Sequence, residues 1–72
     1  MKKKYNPRNC IRSKIIGGLR VVEEFVDNGM KRCVFIYEVL SKKAVYKLST
    51  SETRENEDKI FNEALQIAAL MQ

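Results

Sequence analysis

The apolar positions fall into three patterns along the chain. Residues 31–40 are nearly continuous β-formers, with Cys33, Val34, Phe35, Ile36, Tyr37 and Val39 among them, which predicts a strand. Residues 44–49 alternate more loosely and predict another strand after the turn Ser41-Lys42-Lys43. Residues 51–71 change period: Ile60, Phe61, Ala64, Leu65, Ile67, Ala68 and Met71 recur at helical spacing, which predicts an amphipathic helix. Ser49 and Glu52 fit a capping box. Glu52, Glu55, Glu57 and Asp58 then crowd the first turns, where the helix dipole favours negative charge, and Glu55 precedes Lys59 by four residues.

Residues 15–27 read two ways. With a period of 3.6, Ile15, Leu19, Val22 and Val26 line one helical face, and Asn28-Gly29 is a C-cap. As a strand over 19–27, Val21, Val22, Phe25 and Val26 favour β structure, and Asn28-Gly29 is a two-residue hairpin turn that tolerates positive φ. The clear strand that follows favours the second reading. The expected fold is α+β: a three-stranded antiparallel meander (19–27, 31–40, 44–49) on one C-terminal helix, with α-β-β-α as the alternative. Pairing Ser41 with Ala44 sets Glu38 opposite Lys47, Val39 by Tyr46 and Tyr37 by Leu48. In that register the helix covers Cys33, Phe35, Tyr37, Val39, Tyr46 and Leu48. The other face then keeps Val34, Ile36, Leu40 and Val45, with Val21 and Phe25, as a candidate protein interface, most simply in a homodimer. The competing expectation is that the N-terminal segment folds over it.

Residues 1–14 lack periodicity and read as a flexible basic arm ahead of a single domain, 15–72. Tyr5-Asn6-Pro7 signals a turn, and Gly17-Gly18 permits a bend or a bulge. Lys2, Lys3, Lys4, Arg8, Arg12, Lys14 and Arg20 stand in residues 1–20 without a single acid, while residues 21–72 hold the other seven bases and all nine acids. The net charge of +5 is thus a basic segment on a mildly acidic body. Such a segment attracts a polyanion, and a DNA or RNA phosphate backbone is the first candidate. Its contacts would be Lys2, Lys3, Lys4, Arg8, Arg12 and Lys14, extended by Arg20, Lys42 and Lys43, with Tyr5 and Asn6 available to a base. A solvated lysine-rich tail is the bland counterpart.

With 72 residues there is one domain and little chain for a catalytic cleft. There is no histidine, which removes the commonest neutral-pH base and zinc ligand. Cys10 and Cys33 lack the close spacing of zinc sites and are expected as free thiols. Glu23 and Glu24, adjacent on a strand, point to opposite faces and cannot share a metal. No enzyme activity, cofactor or metal is expected. No apolar run approaches the roughly 20 residues of a membrane span. None of signal-peptide length follows Met1-Lys2-Lys3-Lys4, so the expected compartment is the cytoplasm.

The expectation is a small non-enzymatic, nucleic-acid-associated regulatory factor. Its rival is a small protein-binding inhibitor or adaptor of the mobile-element type, acting through the apolar sheet face or an acidic helix surface at Glu52, Glu55, Glu57 and Asp58. The strand-and-helix outline resembles many unrelated small domains, including arm-type DNA-binding domains and small phage-encoded inhibitors, and so assigns no residue a role.

Overall fold

A computed structural model describes residues 4–26, 31–49 and 54–72. Four strands, β1 (Cys10–Ile16), β2 (Leu19–Val26), β3 (Lys31–Glu38) and β4 (Ala44–Ser49), precede one helix, α1 (Arg54–Leu70). The strands form a single antiparallel sheet in the order β1-β2-β3-β4. The α+β class and the C-terminal helix match the sequence pattern, and the sheet has one strand more than expected. The added strand takes up residues 10–14, which read as arm. Residues 19–26 are strand, so the helical alternative for 15–27 does not hold.

Gly17-Gly18 explains the extra strand. Ile16 pairs with Leu19 across these two residues, and Gly17 sits at φ +58°, the left-handed conformation that a tight two-residue hairpin turn needs. The glycine pair is therefore a hairpin turn, not a loose junction. Between β2 and β3, Val26 pairs with Lys31; Asn28-Gly29 lies outside the described residues. So do the Ser49–Glu52 capping box and the side chains of Glu55 and Glu57.

Each face of the sheet has its own cluster. On the first, Val21, Val34 and Ile36 pack against Phe61, Ala64 and Ala68 of α1, flanked by Ile16, Leu19, Leu48 and Ile60. The alanines let the helix approach the β-branched side chains closely, which fills the layer between helix and sheet. On the second face, Val22, Cys33, Phe35, Tyr37 and Ala44 cluster with Tyr5, Cys10 and Val26. This inverts the expected arrangement: the helix covers the Val34–Ile36 side. The β3–β4 register differs as well. Tyr37 pairs with Ala44, Ile36 with Tyr46, Phe35 with Lys47 and Val34 with Leu48, and a bulge at Val45 separates the first two pairs. β3 stops at Glu38, and the turn through 39–43 is longer than the two-residue connection that Ser41–Ala44 pairing requires. The shift moves Leu48 to the face of Val34, beneath the helix.

The proposed interface residues consequently do not form one surface. Val34 and Ile36 are fully buried, Leu40 is 97% exposed on the turn, and Val45 is 40% exposed at the bulge. The face expected to stand open, that of Val34 and Ile36, is the one α1 covers, and residues of the N-terminal segment lie on the opposite face.

The C-terminal end of α1 is tied to the β1–β2 turn. The Gln72 side-chain amide donates to Ile16 O at 2.8 Å and Ala68 O at 3.1 Å, and its Oε1 accepts from Gly18 N at 3.3 Å. No capping residue is evident in the sequence there, and Gln72 performs the task through its side chain. Among the described residues no helix is long and apolar enough to cross a membrane.

Candidate nucleic-acid interface

The N-terminal segment is held against the sheet by backbone pairing and is then turned by a local cap. Lys4 makes an antiparallel bridge to Lys43, and Tyr5 N donates to Lys42 O at 2.9 Å. Asn6 is extended (φ −127°, ψ 109°), the conformation that a following proline imposes. Its side-chain oxygen accepts from Arg8 N at 3.0 Å, capping a short 3-10 turn over Pro7–Asn9. From there the chain enters β1. A second bulge, at Ile11, lets Cys10 pair with Glu24 and Arg12 with Glu23.

Tyr5 is the anchor. Its ring centroid lies 5.6 Å from that of Tyr37, tilted by 58°, and the Arg20 guanidinium carbon sits 4.8 Å from the Tyr5 centroid. The platform below is joined by a side-chain hydrogen bond and a ring contact. Tyr37 Oη donates to Glu24 Oε2 at 2.8 Å in a buried setting, and Phe35 lies 5.8 Å from Tyr37. Burial first, and the Glu24 carboxylate second, push the Tyr37 hydroxyl far above the usual tyrosine range. It stays protonated and keeps donating to Glu24.

The β3–β4 turn is bonded just as tightly. Lys42 N donates to Glu38 O at 2.8 Å, and Glu38 N donates to Lys43 O at 2.9 Å. Ser41 Oγ donates to Glu38 Oε1 at 2.8 Å and accepts from Lys43 N at 3.2 Å. Lys42 occupies the left-handed region at φ 62°. These bonds hold the backbone of Lys42 and Lys43 beside Lys4, and all three residues are exposed. Between segment and turn lies a cleft of about 200 Å³ lined by Tyr5, Pro7, Arg20, Glu38, Val39 and Lys42.

The basic residues singled out in the sequence divide into groups. Arg20 and Lys42 line the cleft, and Lys4 pairs with Lys43, the residue after Lys42. Arg20 makes no ion pair among the described residues, and its guanidinium lies over the Tyr5 ring. Arg8 is exposed on the 3-10 turn. Arg12 is engaged elsewhere: its Nε is 2.9 Å from Glu23 Oε1, its Nη1 is 2.7 Å from Asp58 Oδ1, and its guanidinium lies 4.4 Å from the Phe61 ring. It links β1, β2 and α1 on the helix-covered side. Lys14 pairs with Val21 and so belongs to that side too. Lys2 and Lys3 lie outside the described residues.

Two participants escape the sequence reading. Lys47 lies opposite Phe35, with its Nζ 5.8 Å from that ring, which places it on the second face; the wrong β3–β4 register assigns it to Glu38. Glu38 in turn lines the cleft. No composition signal marks either residue, since their placement depends on the length of one turn.

No family model, curated protein or solved structure matches this chain.

Proposed function

We propose that this protein is a small, non-catalytic nucleic-acid-binding factor that holds a phosphate backbone on the second side of its sheet. One observation carries the reading. The folded N-terminal segment sets Lys4 beside Lys42 and Lys43, next to an Arg20 stacked on Tyr5 with no ion pair among the described residues. Backbone pairing groups the three lysines, and the Arg20 side chain is already placed over a ring, so a polyanion meets several positive charges at one site. A guanidinium resting over a ring keeps N–H donors for phosphate oxygens. The binding surface is therefore a folded patch of Lys4, Arg20, Lys42, Lys43 and Lys47, with Arg8 nearby in sequence, in place of a free arm.

The test is fluorescence anisotropy of the full chain with labelled single- and double-stranded DNA and RNA over a range of salt. Engagement of about four phosphates gives a slope of log K against log salt near −3 on single strands. Replacing Lys4, Arg20, Lys42 and Lys43 with alanine together abolishes binding, whereas replacing Lys14 and Lys59 leaves it within about twofold. Absence of binding at low salt, or a quadruple variant that binds like the parent, overturns the reading.

A further inference from the structure

The cleft has a composition that backbone binding alone does not explain. Arg20 and Lys42 suit a phosphate, but Glu38 stands among them, and a carboxylate repels phosphate oxygens. Glu38 is not neutralised by a salt bridge among the described residues. Its Oε1 accepts from Ser41 Oγ, and Oε2 accepts no hydrogen bond among the described residues. The remaining walls, Pro7 and Val39, are apolar. Tyr5 is not available as an open stacking face, because Arg20 lies over its ring and Tyr37 packs against it.

Apolar walls, an acceptor-only group and flanking cations are the complement of a nucleotide. We propose that the cleft is a base-reading subsite: it takes one unpaired nucleobase that carries an exocyclic amino group, cytosine above all. The base lies between Pro7 and Val39. Its amino group donates to the free oxygen of Glu38, and the neighbouring phosphates rest on Arg20 and Lys42. A carboxylate accepting from the cytosine N4 amine is a recognised pairing, and thymine offers only its O4 acceptor at that position. The volume, about 200 Å³, falls below the roughly 300–1,000 Å³ of pockets that hold drug-sized ligands, and so suits one base. A base enters such a recess only after leaving the stack, so the partner is single-stranded.

This inference rests on the nucleic-acid reading above, and one experiment separates the two. The full chain is titrated with oligodeoxycytidine and oligodeoxythymidine of equal length at fixed moderate salt, alongside the variant Glu38→Gln. The glutamine keeps an oxygen for Ser41 and turns an amide N–H2 into the cleft. The parent is expected to bind the cytidine strand about five- to tenfold more tightly. In Glu38→Gln that preference disappears or reverses, while binding to thymidine holds or tightens because a negative charge is gone. Equal, salt-dependent binding of both strands by the parent overturns base reading and leaves backbone binding standing. The same holds for a preference that survives in Glu38→Gln. Failure to bind either strand at low salt overturns base reading, and overturns the nucleic-acid reading as well when RNA and duplex DNA also fail to bind.

Discussion

The two faces of the sheet are buried to a similar depth by very different means. Val21, Val34 and Ile36 lie under a 17-residue helix that covers them with Phe61, Ala64 and Ala68. Val22, Phe35 and Tyr37 lie on the face reached by the N-terminal segment, which contributes a single aromatic, Tyr5. The first also buries a carboxylate, Glu23, which accepts from Arg12 Nε at 2.9 Å. The second includes a buried carboxylate, Glu24, bonded to a phenol. A helix distributes its attachment over many side chains, so the loss of one leaves the others in place. A short segment anchored at one ring and two backbone positions can shift as a unit. The exposed cations sit at this more adjustable cover, a common placement for binding residues.

The largest expected break is on the helix side. Ile36→Ala removes a fully buried β-branched side chain from the centre of the layer and is expected to cost about 3 kcal/mol, measured as a shift in the urea midpoint at unchanged slope. For a domain of this size that is a large share of the total stability. A loss below about 1 kcal/mol means that the helix layer does not carry the fold.

On the other face, Tyr37→Phe keeps the ring and removes the donor to Glu24, at an expected cost of about 2 kcal/mol. It also has a pH signature. Folding raises the Tyr37 pKa above its ordinary value, so the folded chain holds this proton after the unfolded chain has lost it. The corresponding stability is complete below about pH 10 and declines as pH rises beyond it. Urea melts at neutral pH and above about pH 10 check this: the parent loses stability over that interval faster than Tyr37→Phe does.

Tyr5→Ala tests the thinner cover directly. The ring is half-buried, and its loss is expected to cost about 1.5 kcal/mol, less than Ile36→Ala. Backbone amides of the N-terminal segment should then exchange faster, and affinity for single strands should fall because Lys4 is no longer held beside Lys43. If Tyr5→Ala destabilises as much as Ile36→Ala, the segment is part of the main core and the contrast between the faces collapses.

The legible parts of this fold were those with strong local signals. β3 is almost all β-branched or aromatic, and α1 has a clear helical stripe; both emerge from period alone. β1 did not, because Arg12, Ser13 and Lys14 interrupt its apolar positions. Its existence follows from Gly17-Gly18 acting as a hairpin turn and from Arg12 finding partners on β2 and α1. Which face the helix takes was not legible either. Both faces of β3 are apolar, so its side-chain pattern does not say which one the helix covers. The cation cluster was half visible: Lys42 and Lys43 and the basic N-terminus stand out in the sequence, but their meeting depends on the extended Tyr5-Asn6-Pro7 path across the second face.

The smallest effect concerns the point where the helix end meets the first hairpin. A methyl group added at Gly17 collides with the side-chain amide of Gln72, and the backbone there is left-handed. Gly17→Ala thus carries two penalties: about 1 kcal/mol of backbone strain, and the hydrogen bonds that Gln72 gives up in moving aside, about 0.5 kcal/mol at this exposed position. Gln72→Ala alone forfeits only those bonds. In the double variant the collision has nothing left to displace, so it should be no less stable than Gly17→Ala alone, with a coupling near 0.5 kcal/mol in a double-mutant cycle. Strict additivity would mean that the side chain of Gln72 does not occupy the space beside Gly17, and that the helix end is held to the sheet by packing at Phe61, Ala64 and Ala68 alone.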